Sequence, residues 1–202
     1  MPSAPDNLFG DLCGLSGSIG TSVTNATLAG TGSIANAVAI GNGLGSTGSA
    51  IISPGTSGAT GTLTTGPLAL NSDGEYAFSL NSTGGGAGSG ADELIAASLS
   101  LNSNAHFTFA DIATSPAALT PGTAFVAIQT TGAIIGTFAN LPNGYEFISG
   151  PNAYQAAYTT DELTLTVVSM ICSTWCATRR SSLWRGAGCG ATRGQGPLGS
   201  TE

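Results

Sequence analysis

The sequence predicts an all-β chain, coiled as a single-stranded parallel β-helix (β-solenoid) with a C-terminal β cap and an irregular tail. Three observations predict it. Residues 63–78, LTTGPLALNSDGEYAF, return 31 positions later as residues 94–109, LIAASLSLNSNAHFTF, and repetition at such a period marks stacked repeat architectures. Between residues 15 and 80, short alternating runs (SVTNATLAG, SIANAVAIG, SAIIS, LALNS, EYAFSLN) are separated by Gly, Asn or Pro. Alternation reads as half-buried strand and the punctuators as turns, whereas no 3.6-residue periodicity of any length is present. The composition agrees: 31 Gly, no Lys, 7% charged residues and 41% apolar residues in a chain of 202. That apolar content is too high for a disordered chain, and the Gly, Ser, Thr, Ala and Asn excess suits strands and tight turns.

Taken in order, residues 1–14 form a lead-in that we expect to be the edge of a fragment. The string MPSAPDNLFGDL has neither a basic n-region nor an apolar h-region, so no signal peptide is visible. Residues 15–168 form the solenoid with its cap. A shorter echo precedes the long one: Gly17-Ser18-Ile19 and Val23 recur fifteen residues later as Gly32-Ser33-Ile34 and Val38. Within 63–80, Leu68 and Leu70 share one face, as do Tyr76, Phe78 and Leu80, because side chains alternate along a strand. The 31-residue offset puts Leu99 and Leu101 over the leucines and Phe107 and Phe109 over Tyr76 and Phe78. Like side chains about 4.8 Å apart then build a core without helices.

Asn71 and Asn102 fall where strand meets turn, where asparagine tolerates left-handed backbone and bonds locally. The Gly-rich stretch 82–92 is expected to loop out, leaving about 20 residues per coil, a usual repeat size. From residue 121 the rhythm changes to two strands, a GTF run, the turn Leu141-Pro142-Asn143-Gly144 and a hairpin in YQAAYTTDELTLTVV ending near Val168. A differently built terminal unit is what a solenoid needs to hide its open edge.

The order GTGSIANAVAI, Ile51-Ile52-Ser53-Pro54-Gly55, LALNSDGEYAFSLN, Ala91-Asp92-Glu93-Leu94, Pro121-Gly122-Thr123-Ala124-Phe125, Gly136-Thr137-Phe138, Leu141-Pro142-Asn143-Gly144 and LTLTV resembles a known region. It is similar, over about residues 28–168, to the autotransporter-associated β-strand repeat of autotransporter passenger domains and of proteins with a PEP-CTERM sorting signal. The resemblance implies a right-handed parallel β-helix, exported to the bacterial cell surface or extracellular space. It implies a surface, matrix or adhesive role and brings no catalytic residues. After Val168 the chain departs from that pattern. Residues 169–202 jump to Arg, Cys and Trp without the Pro-Glu-Pro and apolar span of the sorting signal, as an altered or out-of-frame end would.

Charge and spacing sort the function classes. All four basic residues (Arg179, Arg180, Arg185 and Arg193) lie in the tail, while residues 1–178 hold ten of the eleven acids and carry −10. Phosphate-neutralising cations are absent from the body, so a nucleic-acid partner is excluded there. No run of 18 apolar residues exists, so no membrane span is expected. Cys13, Cys172, Cys176 and Cys189 lack the paired spacing of a zinc site, and their thiol state is open.

GGGAGSGAD departs from the calcium nonapeptide because Gly90 takes the aspartate position. His106, the one histidine, stacks in register on Glu75, which could serve proton transfer, but no nucleophile accompanies the pair. Asp92-Glu93 and Asp161-Glu162 are adjacent, so each pair splits across two faces and cannot flank one glycosidic bond. Asp73 stacks on Asn104, so the acids do not repeat. Asn25-Ala26-Thr27 and Asn81-Ser82-Thr83 match the glycosylation sequon, which in a bacterial protein carries little meaning. Thr62, Thr64 and Thr65 meet Glu93, Ile95 and Ala96, so no threonine array forms.

The expectation is a non-enzymatic structural segment with no catalytic, metal or cofactor residues, whose partners would be surface glycans or extracellular matrix. The alternative is a polysaccharide-active or carbohydrate-binding β-helix.

Overall fold

The computed structural model describes residues 20–84 and 90–169, together with the backbone of 7–9 and 12–13. The described residues contain sixteen strands and no helix. Successive coils comprise β1 (Asn7–Phe9), β2 (Leu12–Cys13) and β3 (Thr21–Val23), then β4 (Thr27–Gly30), β5 (Gly32–Ile34) and β6 (Val38–Ile40). They continue with β7 (Ala50–Pro54) and β8 (Thr62–Leu70), then β9 (Gly74–Leu80) and β10 (Glu93–Leu101). The last coil holds β11 (His106–Asp111), β12 (Ala124–Thr130) and β13 (Ile134–Ile135). β14 (Glu146–Ser149), β15 (Asn152–Tyr158) and β16 (Glu162–Val168) follow as the cap. The chain is a parallel β-solenoid, as its sequence predicts. Of the tail expected over 169–202, residues 170–202 lie outside the described residues, as do the core of the Gly-rich loop (85–89) and the side chains of all four cysteines.

Each coil crosses three faces. The first is the five-stranded parallel sheet β1-β4-β7-β9-β11. The other two are halves of one sheet, because β8 and β10 run unbroken round the corner that separates β5 from β6. Gly66 makes that corner possible. A Cβ at this position would meet the Asn36 carbonyl oxygen at 2.6 Å, closer than real side chains approach.

The interior consists of in-register columns. Leu28, Ile52, Tyr76 and Phe107 stack on the first face. Leu63, Leu94 and Ile128 stack on the second, and Val38, Leu68, Leu99 and Ile134 on the third. All of these except Ile134 are buried. The aromatic pairs anticipated from the 31-residue offset form, with Tyr76–Phe107 ring centroids 5.6 Å apart and Phe78–Phe109 5.7 Å apart. Phe109 is only half-buried, because it lies where the coil gives way to the cap. Burying a Leu or Phe side chain is worth about 1.5–3 kcal/mol, so these columns supply the driving force for folding.

The step between coils is not constant. It is 17 residues at Thr21↔Val38, 24 at Thr27↔Ile51, 31 at Leu63↔Leu94 and 34 at Leu94↔Ile128. A uniform coil of about 20 residues is therefore corrected: excursions at 41–49, 55–61 and 82–90 lengthen individual steps without disturbing the columns. The fifteen-residue echo does not coincide with the strand register, since Val23 pairs with Ile40 and Val38 with Thr21, while Gly17, Ser18 and Ile19 lie outside the described residues. The burial of Val23 and Ile40, not their likeness in sequence, sets this register. Nor do Asn71 and Asn102 adopt left-handed backbone. Among the described residues the positive-φ non-glycine is Asn25, at φ 50. Asn71 instead reaches back a coil, its Nδ2 donating to the Gly41 carbonyl at 2.7 Å, while Asn102 accepts locally from Asn104 N.

The cap turns the sheet from parallel to antiparallel. β12 pairs in parallel with β10 on one side and antiparallel with β16 on the other. The expected hairpin is β15–β16, and a further strand, β14, adds antiparallel to β15. The GTF run forms no strand; its Phe138 plugs the open end of the aromatic column, 5.5 Å from Phe107 and 1% exposed. Two asparagines stand in for missing strands. Asn140 accepts from Phe107 N at 2.9 Å and donates to Phe107 O at 2.7 Å, occupying the outer edge of β11. Asn152 treats Leu119 N and Ala117 O in the same way. Edge groups that would otherwise template foreign strands are thereby covered.

The columns set the stability of the fold, and substitutions should report it. Leu99→Ala and Phe107→Ala should each lower unfolding free energy by about 2–5 kcal/mol in urea titrations. Glu75→Gln and His106→Gln, on the outward side, should stay within about 0.5 kcal/mol.

Candidate functional site

The outward polar positions form three clusters rather than one site. The first is the Glu75–His106 pair, which are register neighbours on β9 and β11 as expected. Both are half-buried. Glu75 Oε1 accepts a hydrogen bond from Thr108 Oγ1 at 2.8 Å, two residues along from His106. The imidazole Nδ1 is shielded from solvent and has no hydrogen-bond partner.

The second cluster surrounds Asp73, which is fully buried. Its carboxylate collects the backbone of the loop one coil below. Oδ1 accepts from Gly43 N at 2.7 Å, and Oδ2 accepts from Asn42 N and Gly45 N, each at 3.2 Å. Gly41, at φ +83, allows the loop to close over the carboxylate, since a Cβ there would collide with Asp73 Oδ1. Burial alone would push this acid up, but the backbone N–H donors outweigh it and hold Asp73 below its ordinary 3.8.

The third cluster is Asp92, also fully buried. Its Oδ1 accepts from Gly61 N and its Oδ2 from Ser79 N, both at 2.9 Å, and Asp92 N donates to Ser79 O at 2.8 Å. The residue pins the exit of the 82–90 excursion to β9 and to the loop before β8. Here two backbone donors do not compensate for desolvation, and burial pushes the carboxyl up to about 6. The Tyr76 hydroxyl, raised by burial and by the nearby Asp92 and Glu93, donates inward to Ala127 O at 2.8 Å.

Asp92 and Glu93 split between buried and half-buried positions, as their adjacency requires. Asp161 lies exposed in the β15–β16 turn, where Oδ1 accepts from Thr159 Oγ1 at 3.0 Å, and Glu162 pairs with Gln129 at the start of β16. Among the described residues no three His, Cys, Asp or Glu side chains gather as metal ligands would. Among the same residues no helix is long and apolar enough to cross a membrane.

Reading the sequence for paired acids overlooked what Asp73 and Asp92 do. The signal was present in the period itself. Asp73 lies 31 residues after Asn42 and Asp92 lies 31 after Gly61, so the offset that aligns the core also aligns each acid with backbone in the coil beneath. Sequence reasoning also passed over a shallow groove of about 470 Å³ on the third face. Its floor is an outward row of small side chains in continuous register, Ser22-Ala39-Ala69-Ser100, ending at Ile135.

The two buried acids impose opposite pH dependences. Asp73, lowered in the native state, stabilises the fold above 3.8 and loses that contribution as pH falls through its native value. Asp92, raised from 3.8 to about 6, holds a proton in the native state that the unfolded chain releases; its contribution is complete below 3.8 and lost as pH rises through about 6. Thermal unfolding followed by circular dichroism should therefore show Tm rising as pH is lowered from 7 to 5. Asp92→Asn should flatten that rise, and an unchanged slope in the variant would contradict the assignment.

No protein-family model matches the chain, and comparison with curated proteins finds no match.

Proposed function

We propose that the chain is a non-catalytic, exported structural segment, a rigid solenoid that spaces and displays surface in the manner of a passenger domain. The observation that carries this reading is the division of labour between the two sides of each strand. Inward positions stack like on like through successive coils, whereas outward positions change from coil to coil: Thr62 meets Glu93, and Ile51 meets Glu75 and then His106. A processive or hydrolytic site on a solenoid needs acids converging from neighbouring coils. The two best-placed acids, Asp73 and Asp92, spend their oxygens on backbone donors instead. The rings of the inner column, Tyr76, Phe78, Phe107 and Phe138, are buried, and the accessible rings are confined to the cap, where Tyr145 is exposed near the half-buried Phe109 and Phe147. The described outer surface is mostly acidic and small-residue, with Leu44, Ile135, Tyr145 and Ile148 exposed singly, which suits spacing or shallow contact with glycans or matrix.

Two experiments test this reading. Protease treatment of intact cells producing the protein should digest it, and its protection until lysis would contradict export. Incubation with pectic and other acidic glycans should leave chain length unchanged; cleavage that disappears with Glu75→Gln or His106→Ala would establish the enzymatic alternative.

A further inference from the structure

The loop that Asp73 holds contains the dipeptide Asn42-Gly43, and its hydrogen bonds arrange three parts of one reaction. The nucleophile is the Gly43 backbone nitrogen, whose N–H points at Asp73 Oδ1, 2.7 Å away. The electrophile is the Asn42 side-chain amide, whose Oδ1 accepts from Leu44 N at 2.9 Å, a donor that polarises the carbonyl. The base is the Asp73 carboxylate itself, ionised at neutral pH by its backbone donors. Two side chains next to Asp73 in sequence steady the assembly. Asn71 Nδ2 donates to Gly41 O at 2.7 Å, and Ser72 Oγ donates to Gly43 O at 3.3 Å. Asn42 itself is exposed, so water reaches it.

We propose that the folded chain catalyses its own modification at Asn42, with Asp73 as general base for succinimide formation across Asn42–Gly43. The Gly43 nitrogen attacks Asn42 Cγ while Asp73 accepts its proton. The new N–Cγ bond closes a five-membered imide, the Cγ–Nδ2 bond breaks, and ammonia leaves carrying a proton. Water then opens the ring at Cγ to give aspartate at this position, or at the main-chain carbonyl to give isoaspartate. The net change is amide plus water to acid plus ammonia, with no redox partner.

Either product puts a second carboxylate beside Asp73, and isoaspartate also lengthens the backbone by a methylene. Both oppose the hydrogen bonds that close the loop. Conversion is therefore a slow, one-way release of residues 41–45, including Leu44, an apolar side chain 89% exposed.

The chain carries its own control. Asn143-Gly144 is the same dipeptide, but Gly144 N donates to the Ala156 carbonyl at 2.8 Å, which is no base, and Asn143 Oδ1 is engaged by Tyr158 N at 2.9 Å. Peptide mass mapping of folded protein aged at neutral pH should show acid forming at residue 42 at least about tenfold faster than at residue 143, in line with modest general-base catalysis. The same two sites should convert at similar rates in the urea-unfolded chain. Asp73→Asn should slow conversion at Asn42 in the folded protein, although removing the carboxylate loosens the loop. Equal native rates at the two sites, or faster conversion in Asp73→Asn, would overturn the proposal and leave ordinary loop flexibility as the cause. The comparison within the unsubstituted chain decides the matter even if Asp73→Asn fails to fold.

Discussion

Parallel, in-register stacking of strands from successive coils is the constraint on which everything else in this molecule depends. Once Leu63 sits on Leu94 and Leu68 on Leu99, alternation fixes the facing along each limb, Thr62–Thr65 with Glu93–Ala96 and, past the corner where the phase shifts by one residue, Leu68–Leu70 with Leu99–Leu101. A slip of one residue would move the leucines to solvent and bring Thr64, Ala69 and Ser100 inward. The columns cannot shift piecemeal, because β8 and β10 bind two faces at once across the Gly66 corner. The cap has one task in this scheme, to end the stack. It does so by reversing strand direction at β12–β16, by inserting Phe138 into the aromatic column and by covering bare edges with Asn140 and Asn152.

The same constraint explains the placement of buried charge. A solenoid with loops of variable length has to bind each loop to the coil beside it, and the loops at 41–45 and 55–61 are too rich in glycine to pack themselves. A carboxylate on the next coil gathers several backbone N–H groups with one side chain. Asp73 has enough donors to remain readily ionised, whereas Asp92 has two and remains costly to ionise. Acids of identical chemistry thus acquire opposite responses to pH from how strongly burial desolvates each one and from the number of N–H groups facing it.

Much of this was legible in the sequence, and what was not has a physical reason. The columns Leu68–Leu99, Tyr76–Phe107 and Phe78–Phe109, the Glu75–His106 pairing and the failure of the threonine row all follow from one offset and strand alternation. The coil length did not, because loop insertions alter the step while leaving the columns intact, and an average over steps of 17 to 34 residues describes none of them. The resemblance between Gly17–Val23 and Gly32–Val38 does not mark the register for the complementary reason: similar residues recur by composition in a Gly-rich chain, whereas burial decides register. The β14 strand was hidden by its pattern, since Ile148 faces solvent and Glu146 opens the run. Asp73 and Asp92 were hidden by their partners, which are backbone groups and leave no side-chain signature.

The register itself can be measured directly. Parallel neighbours in register bring Cα atoms within disulfide reach, and a two-residue displacement does not. In a chain whose four native cysteines are replaced by serine, Ala69→Cys with Ser100→Cys should oxidise readily to an intramolecular disulfide while the fold is retained. Ala69→Cys with Ser98→Cys, equally outward but displaced by two residues, should remain reduced. Preferential bridging of the displaced pair would contradict the stacking from which the rest of this account is built.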